Sequence, residues 1–88
     1  MPFEYDPAKS QSNQEKHGID FEQAQQLWLD PMALVVPARI SGEPRWQLIG
    51  RMGGKTWSAY YTVREDKIRL ISVRRARDDE KEKYENYH

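Results

Sequence analysis

The 88-residue chain contains no cysteine. That excludes a disulfide framework and thiolate chemistry, and with them most zinc-site patterns. Histidine is nearly absent too, with His17 and His88 the only imidazoles available as ligands. The longest unbroken apolar run, Met32 to Val36, falls far short of the roughly 20 residues of a membrane span. The opening Met-Pro-Phe-Glu-Tyr-Asp has neither a basic region nor an apolar signal segment, so a cytoplasmic protein without a membrane partner is expected. Net charge is missing as well, because 14 Lys and Arg offset 14 Asp and Glu. The length has room for one domain, 1–88, with a thin core.

The zero is a sum of unlike parts. Residues 1–38 carry Glu4, Asp6, Glu15, Asp20, Glu22 and Asp30 against Lys9 and Lys16, a balance of −4. Residues 39–77 carry Arg39, Arg45, Arg51, Lys55, Arg64, Lys67, Arg69, Arg74, Arg75 and Arg77 against Glu43, Glu65 and Asp66, a balance of +7. Residues 78–88 return to −3. Eight of the ten cations in the middle are arginine, whose planar fork of donors fits phosphate or carboxylate in two-point contact. Trp46, Trp57, Tyr60 and Tyr61 lie among them, so the segment has the residue types that hold phosphates and stack bases. The plain alternative is a solvated sheet face.

Local signals order the chain. Phe3-Glu4-Tyr5 alternates as a short strand does. Asp6-Pro7 gives an N-cap followed by a proline at the first helical position, and Gly18 suits the left-handed C-terminal cap of a helix ending near His17. Lys9, Asn13, Lys16 and His17 share one face of that helix. Asp20 with Gln23 reads as a reciprocal cap opening a second helix, with Phe21, Ala24, Leu27 and Trp28 as its apolar stripe and Asp30-Pro31 as its end. The two helices read as a hairpin. Strands are expected over Ala33–Ile40 (an edge, because of Pro37), Trp46–Met52, Thr56–Arg64 and Lys67–Val73, with turns at Ser41–Pro44, Gly53-Gly54 and Glu65-Asp66. Residues 75–88 read as an exposed helix docked by Tyr84 and Tyr87. The expectation is an α+β fold: an N-terminal helical hairpin, an antiparallel sheet of about four strands and a C-terminal helix.

The run Asp6-Pro-Ala-Lys9, Asn13, Lys16-His17-Gly18-Ile19, Phe21-Glu22-Gln23-Ala24 and Asp30-Pro31 resembles the opening of the BrnT-type toxins. Arg45-Trp46, Ile49-Gly50, Tyr61 to Arg64, Ile68-Arg69-Leu70-Ile71-Ser72, Arg74, Ala76, Glu80 and Tyr84 continue the likeness over nearly the whole chain. The resemblance implies a RelE-like fold and a ribonuclease toxin of a type II toxin–antitoxin pair that halts translation. It also implies a BrnA-type, DNA-binding antitoxin and a hetero-oligomer formed with it. Val63 stands where the family often has glutamate, which keeps open a non-catalytic antitoxin-binding module. A simple nucleic-acid binder is the third reading.

RNA brings its own nucleophile, the 2′-hydroxyl beside the scissile phosphate. The protein need only align the phosphate, stabilise charge on its oxygens and move protons. No carboxylate cluster at metal spacing is seen, so metal-independent cleavage without a cofactor is expected. Arg64 and Arg74, near strand ends, are the first candidates for phosphate contact, with salt bridges to the acidic terminal helix as the alternative. His17 is a candidate for proton transfer or, alternatively, a capping residue. Lys9 is a candidate for phosphate binding or a solvated lysine. Tyr84 is a candidate for base stacking or leaving-group protonation, or a packing residue. Arg51, Lys55, Tyr60, Arg69, Arg75 and Arg77 are the expected RNA-binding set, and the acidic ends are expected to face away from the site.

Overall fold

The structure, a computed structural model, describes residues 2–38 and 42–87. Arg39, Ile40, Ser41 and His88, named above, lie outside the described residues.

Strand β1 (Phe3–Glu4) leads into helix α1 (Pro7–His17). Asp6 caps α1 by accepting the Ala8 N–H at 2.8 Å, Pro7 starts it, and Gly18 ends it at φ 75°. That left-handed angle suits glycine, which has no Cβ to crowd the backbone. Helix α2 (Phe21–Ala24) opens on the Asp20–Gln23 capping box and continues as a 3₁₀ helix over Gln25–Leu29. Strands β2 (Leu34–Ala38), β3 (Arg45–Met52), β4 (Lys55–Arg64) and β5 (Lys67–Arg75) then run as an antiparallel meander, and helix α3 (Asp78–Asn86) closes the chain.

Two expectations need correction. The sheet has five strands in the order β1-β5-β4-β3-β2 and is mixed, because β1 lies parallel to β5 with Phe3 opposite Ile68 and Glu4 opposite Arg69. The alternation of Phe3-Glu4-Tyr5 marks the short strand, but not its place in the sheet, because its partner lies about 65 positions along the chain. The N-terminal hairpin is not a pair of regular helices either: its second arm is a single α-turn that tightens into 3₁₀ winding. The cause lies at Asp30. Its carboxylate accepts the Arg51 N–H at 2.8 Å and the Met32 N–H at 2.9 Å, tying the end of this arm to β3 while Leu27 stays fully buried.

The core lies on one face of the sheet, under α1, α2 and the 3₁₀ turn. Ile19, Phe21, Leu27, Leu48, Trp57, Ala59, Leu70 and Val73 fill it. Aromatic edges lock its rim, with Phe3 against Trp28 at 5.1 Å and Trp28 against Tyr61 at 5.2 Å between ring centroids. The opposite face carries a smaller cluster of Leu34, Ile49 and Tyr84 beneath α3. Tyr84 therefore docks α3 as expected, whereas Tyr87 is 72% exposed.

Candidate functional site

Asn13 fixes helix α1 against the edge of β5. Strand β1 pairs with β5 only at Ile68 and Arg69, so no strand continues along the outer edge of β5 at Val73. The Asn13 amide takes that place. Its Nδ2 donates to Val73 O at 2.9 Å and Ile19 O at 2.8 Å, and its Oδ1 accepts the Val73 N–H at 3.0 Å. Buried backbone groups need such partners. The Ser10 hydroxyl accepts the Phe21 N–H at 2.9 Å and fixes α1 to α2 in the same way. One face of α1 is thereby held against the edge of β5.

A cleft of about 200 Å³ remains between them, lined by Lys9, Ser12, Asn13, Lys16 and His17 of α1 and by Ile71 and Ser72 of β5. Its lining holds two lysines and a histidine and no carboxylate. Among the described residues neither lysine nor His17 takes part in a salt bridge. The floor is irregular because the ladder shifts register: Tyr60 pairs with Ser72 and Tyr61 with Leu70, leaving Ile71 as a bulge. Ser72 joins the cleft to the sheet, since its cross-strand partner Tyr60 carries Arg74 on its hydroxyl at 2.8 Å.

Arg74 belongs to a buried polar knot on the α3 face. Its Nη1 and Nη2 each donate to Glu80 at 2.8 Å, and Nη1 also reaches Arg75 O at 3.2 Å. Glu80 further accepts Gln47 Nε2 at 2.7 Å, Ser58 Oγ at 3.0 Å and the Arg77 N–H at 2.8 Å. Burial alone would raise the Glu80 carboxyl pKa, but the bonds from Arg74, Arg77, Gln47 and Ser58 bring it down to about 2. The same pairing with Glu80 raises the Arg74 pKa. The expectation that the acidic terminal helix faces away is thus corrected: Glu80 of α3 turns inward, because a lone guanidinium buried beneath the helix would be costly.

Arg64 is not part of this assembly. It pairs with Lys67 at the far end of the β4–β5 ladder, whereas Arg74 pairs with Ser58, six positions back along β4 or roughly 20 Å at about 3.3 Å per residue. There Arg64 donates to Glu43 at 2.7 and 3.1 Å; the hydrogen bond and charge of each partner lower the Glu43 pKa and raise that of Arg64. The remaining candidates scatter as well. Arg69 bonds Glu4 at 2.9 Å, and Arg51 lies over the Tyr84 ring at 5.5 Å and 3.9 Å from Glu85. Arg75 lies over Trp57, Lys55 is exposed at the start of β4, and Arg77 is exposed at the N-cap of α3. Tyr84 is buried and donates to Asp30 at 2.7 Å; burial, then that bond, raises its pKa.

Among the described residues the cations of the +7 segment therefore do not form one patch. Of the expected site residues the structure brings together Lys9 and His17 in the cleft; it places Tyr60 with Arg74 on the α3 face and leaves Arg64, Tyr84, Arg51, Lys55, Arg69, Arg75 and Arg77 elsewhere. It adds Ser12, Lys16 and Ser72 to the cleft. The first two were legible in the sequence, since Lys9, Ser12 and Lys16 follow at i, i+3 and i+7. Ser72 was not, because its place depends on the bulge.

No curated protein matches the chain. A family profile described as "Ribonuclease toxin, BrnT, of type II toxin-antitoxin system" matches residues 5–80, which include the α1 cleft, the bulge and Glu80. Such a family carries with it an RNA substrate and an antitoxin partner. With that profile over most of its length, the chain belongs to the BrnT family of ribonuclease toxins of type II toxin–antitoxin systems.

Proposed function

We propose that the α1–β5 cleft is where this toxin cuts RNA, by attack of the 2′-hydroxyl on the adjacent phosphate and without a metal ion. The observation that carries this reading is the cleft's lining: Lys9, Lys16 and His17 converge on one cavity with no carboxylate among them. The lysines hold the non-bridging phosphate oxygens and stabilise the charge that grows on them in the transition state. His17 transfers a proton at the reacting centre. The 2′-oxygen forms its bond to phosphorus as the bond to the 5′-oxygen breaks, leaving a 2′,3′-cyclic phosphate and a 5′-hydroxyl.

On this reading the toxin acts in the cytoplasm, halts translation by destroying RNA, and is neutralised in a hetero-oligomer with a BrnA-type antitoxin. The test is incubation of the purified chain with RNA in the presence of a chelator. Cyclic-phosphate ends support the proposal; cleavage that appears only after a divalent metal is restored contradicts it. The Arg74–Glu80 and Arg64–Glu43 pairs favour a second reading, a non-catalytic antitoxin-binding module, because both arginines are already engaged. Intact RNA together with retained antitoxin binding would establish that reading.

A further inference from the structure

A cavity of about 600 Å³ lies at the opposite edge of the sheet from the α1 cleft. Its floor is the pair Leu34 and Val36 of the edge strand β2, and its wall is one side of α3, with Asp79, Glu82, Lys83 and Tyr87 spaced at i, i+3, i+4 and i+8. These are not the α3 residues that hold the helix down, which are Glu80 and Tyr84.

We propose that this groove seats a basic amphipathic helix of the antitoxin. The proposal rests on the antitoxin that a type II system implies and is independent of the cleavage chemistry assigned to the α1 cleft. Three observations choose the occupant. The wall carries Asp79 and Glu82 against Lys83, on a helix that adds Asp78 and Glu85 against Lys81, so its balance is acidic and favours a cationic peptide over an RNA backbone. The floor is apolar, so the occupant must also present apolar anchors. Pro37 lies within β2 and brings no N–H, so the edge is a poor template for an added strand and a helix laid in the groove fits better.

The test is calorimetric titration of the full chain with the small protein encoded beside its gene. Glu82→Lys, at an exposed position that leaves folding intact, is expected to weaken binding at least tenfold, and Val36→Asp by as much. Lys16→Ala, at the other edge, is expected to keep the affinity within twofold. RNA cleavage by Glu82→Lys should remain at the parent rate, which separates this proposal from the one above. Unchanged affinity in both groove variants overturns it, as does a parent chain that does not bind the neighbouring protein. Sedimentation showing a dimer of the chain that Glu82→Lys dissociates also overturns it, since the occupant would then be a second copy.

Discussion

Glu80 and Arg74 meet through two parallel hydrogen bonds of 2.8 Å, a carboxylate of the last helix closing on a guanidinium of the sheet. The pair is partly out of water, with side-chain exposures of 10% and 19%. Gln47, Ser58 and the Arg77 N–H complete the carboxylate's shell, so the desolvated charge is compensated on every side. This knot and Tyr84, packed on Leu34 and Ile49, hold α3 to the sheet.

Acid should loosen it. The Glu80 pKa is depressed from 4.5 to about 2, so the folded state binds this proton less readily than the unfolded state. Its contribution, on the order of 3 kcal/mol, is whole above pH 4.5 and is lost as pH falls from there toward 2. Glu80→Gln should lower stability at pH 7 and flatten the acid limb of a plot of unfolding free energy against pH. An acid limb identical to that of the parent would contradict the assignment.

Asn13 replaces the strand that β5 lacks. Asn13→Ala strands the Val73 N–H and C=O and the Ile19 C=O in a buried site, and should cost about 2–4 kcal/mol. Asn13→Asp should cost at least as much at neutral pH, because a carboxylate faces two carbonyls and donates to neither. Urea unfolding of both variants measures this.

The two tight hairpins differ in their chemistry. Gly53-Gly54 turns at φ 61° and 76° with glycine at both positions, while Glu65-Asp66 turns at φ 49° and 66° without it. Left-handed backbone strains a side chain, and such loops prefer Asn-Gly. Replacing Glu65-Asp66 with Asn-Gly should stabilise the chain by about 1 kcal/mol, or roughly 4–8 °C in Tm. A lower Tm would show that these side chains make contacts the turn depends on.

What the sequence disclosed follows from the range of each interaction. Asp6, Gly18 and the Asp20–Gln23 box act over a few residues, so both helix starts and the α1 stop could be read from spacing alone. The four-strand meander followed from its turn signals. The parallel β1–β5 pair and the Asn13 clamp each depend on residues about 60 positions away, and the bulge at Ile71 on the register of the β4–β5 ladder, none of which a local pattern encodes. The site shows the same limit. The shared face of Lys9, Lys16 and His17 is a helical property and was visible. That Arg64 and Arg74 lie at opposite ends of one ladder depends on register.

Salt should report on the cleft lysines. Each phosphate neutralised on single-stranded RNA contributes about 0.7 to the slope of log affinity against log salt. Lys9→Ala and Lys16→Ala should each weaken RNA binding and reduce that slope by about this amount. Arg64→Ala, whose charge is already shared with Glu43, should change it less. Equal slopes in all four proteins would remove the lysines from the RNA path.

The most direct test is the single-turnover rate of RNA cleavage by Lys9→Ala, Lys16→Ala and His17→Ala beside Arg64→Ala, with folding checked for each. A phosphate contact or a proton-transfer group lost from the reacting centre should lower the rate by about 100-fold or more. That loss is expected in the three cleft variants, with a nearly unchanged rate in Arg64→Ala. Parent-like rates in the cleft variants, with the loss confined to Arg64→Ala, would place the chemistry at the other end of the sheet and contradict its assignment to the cleft.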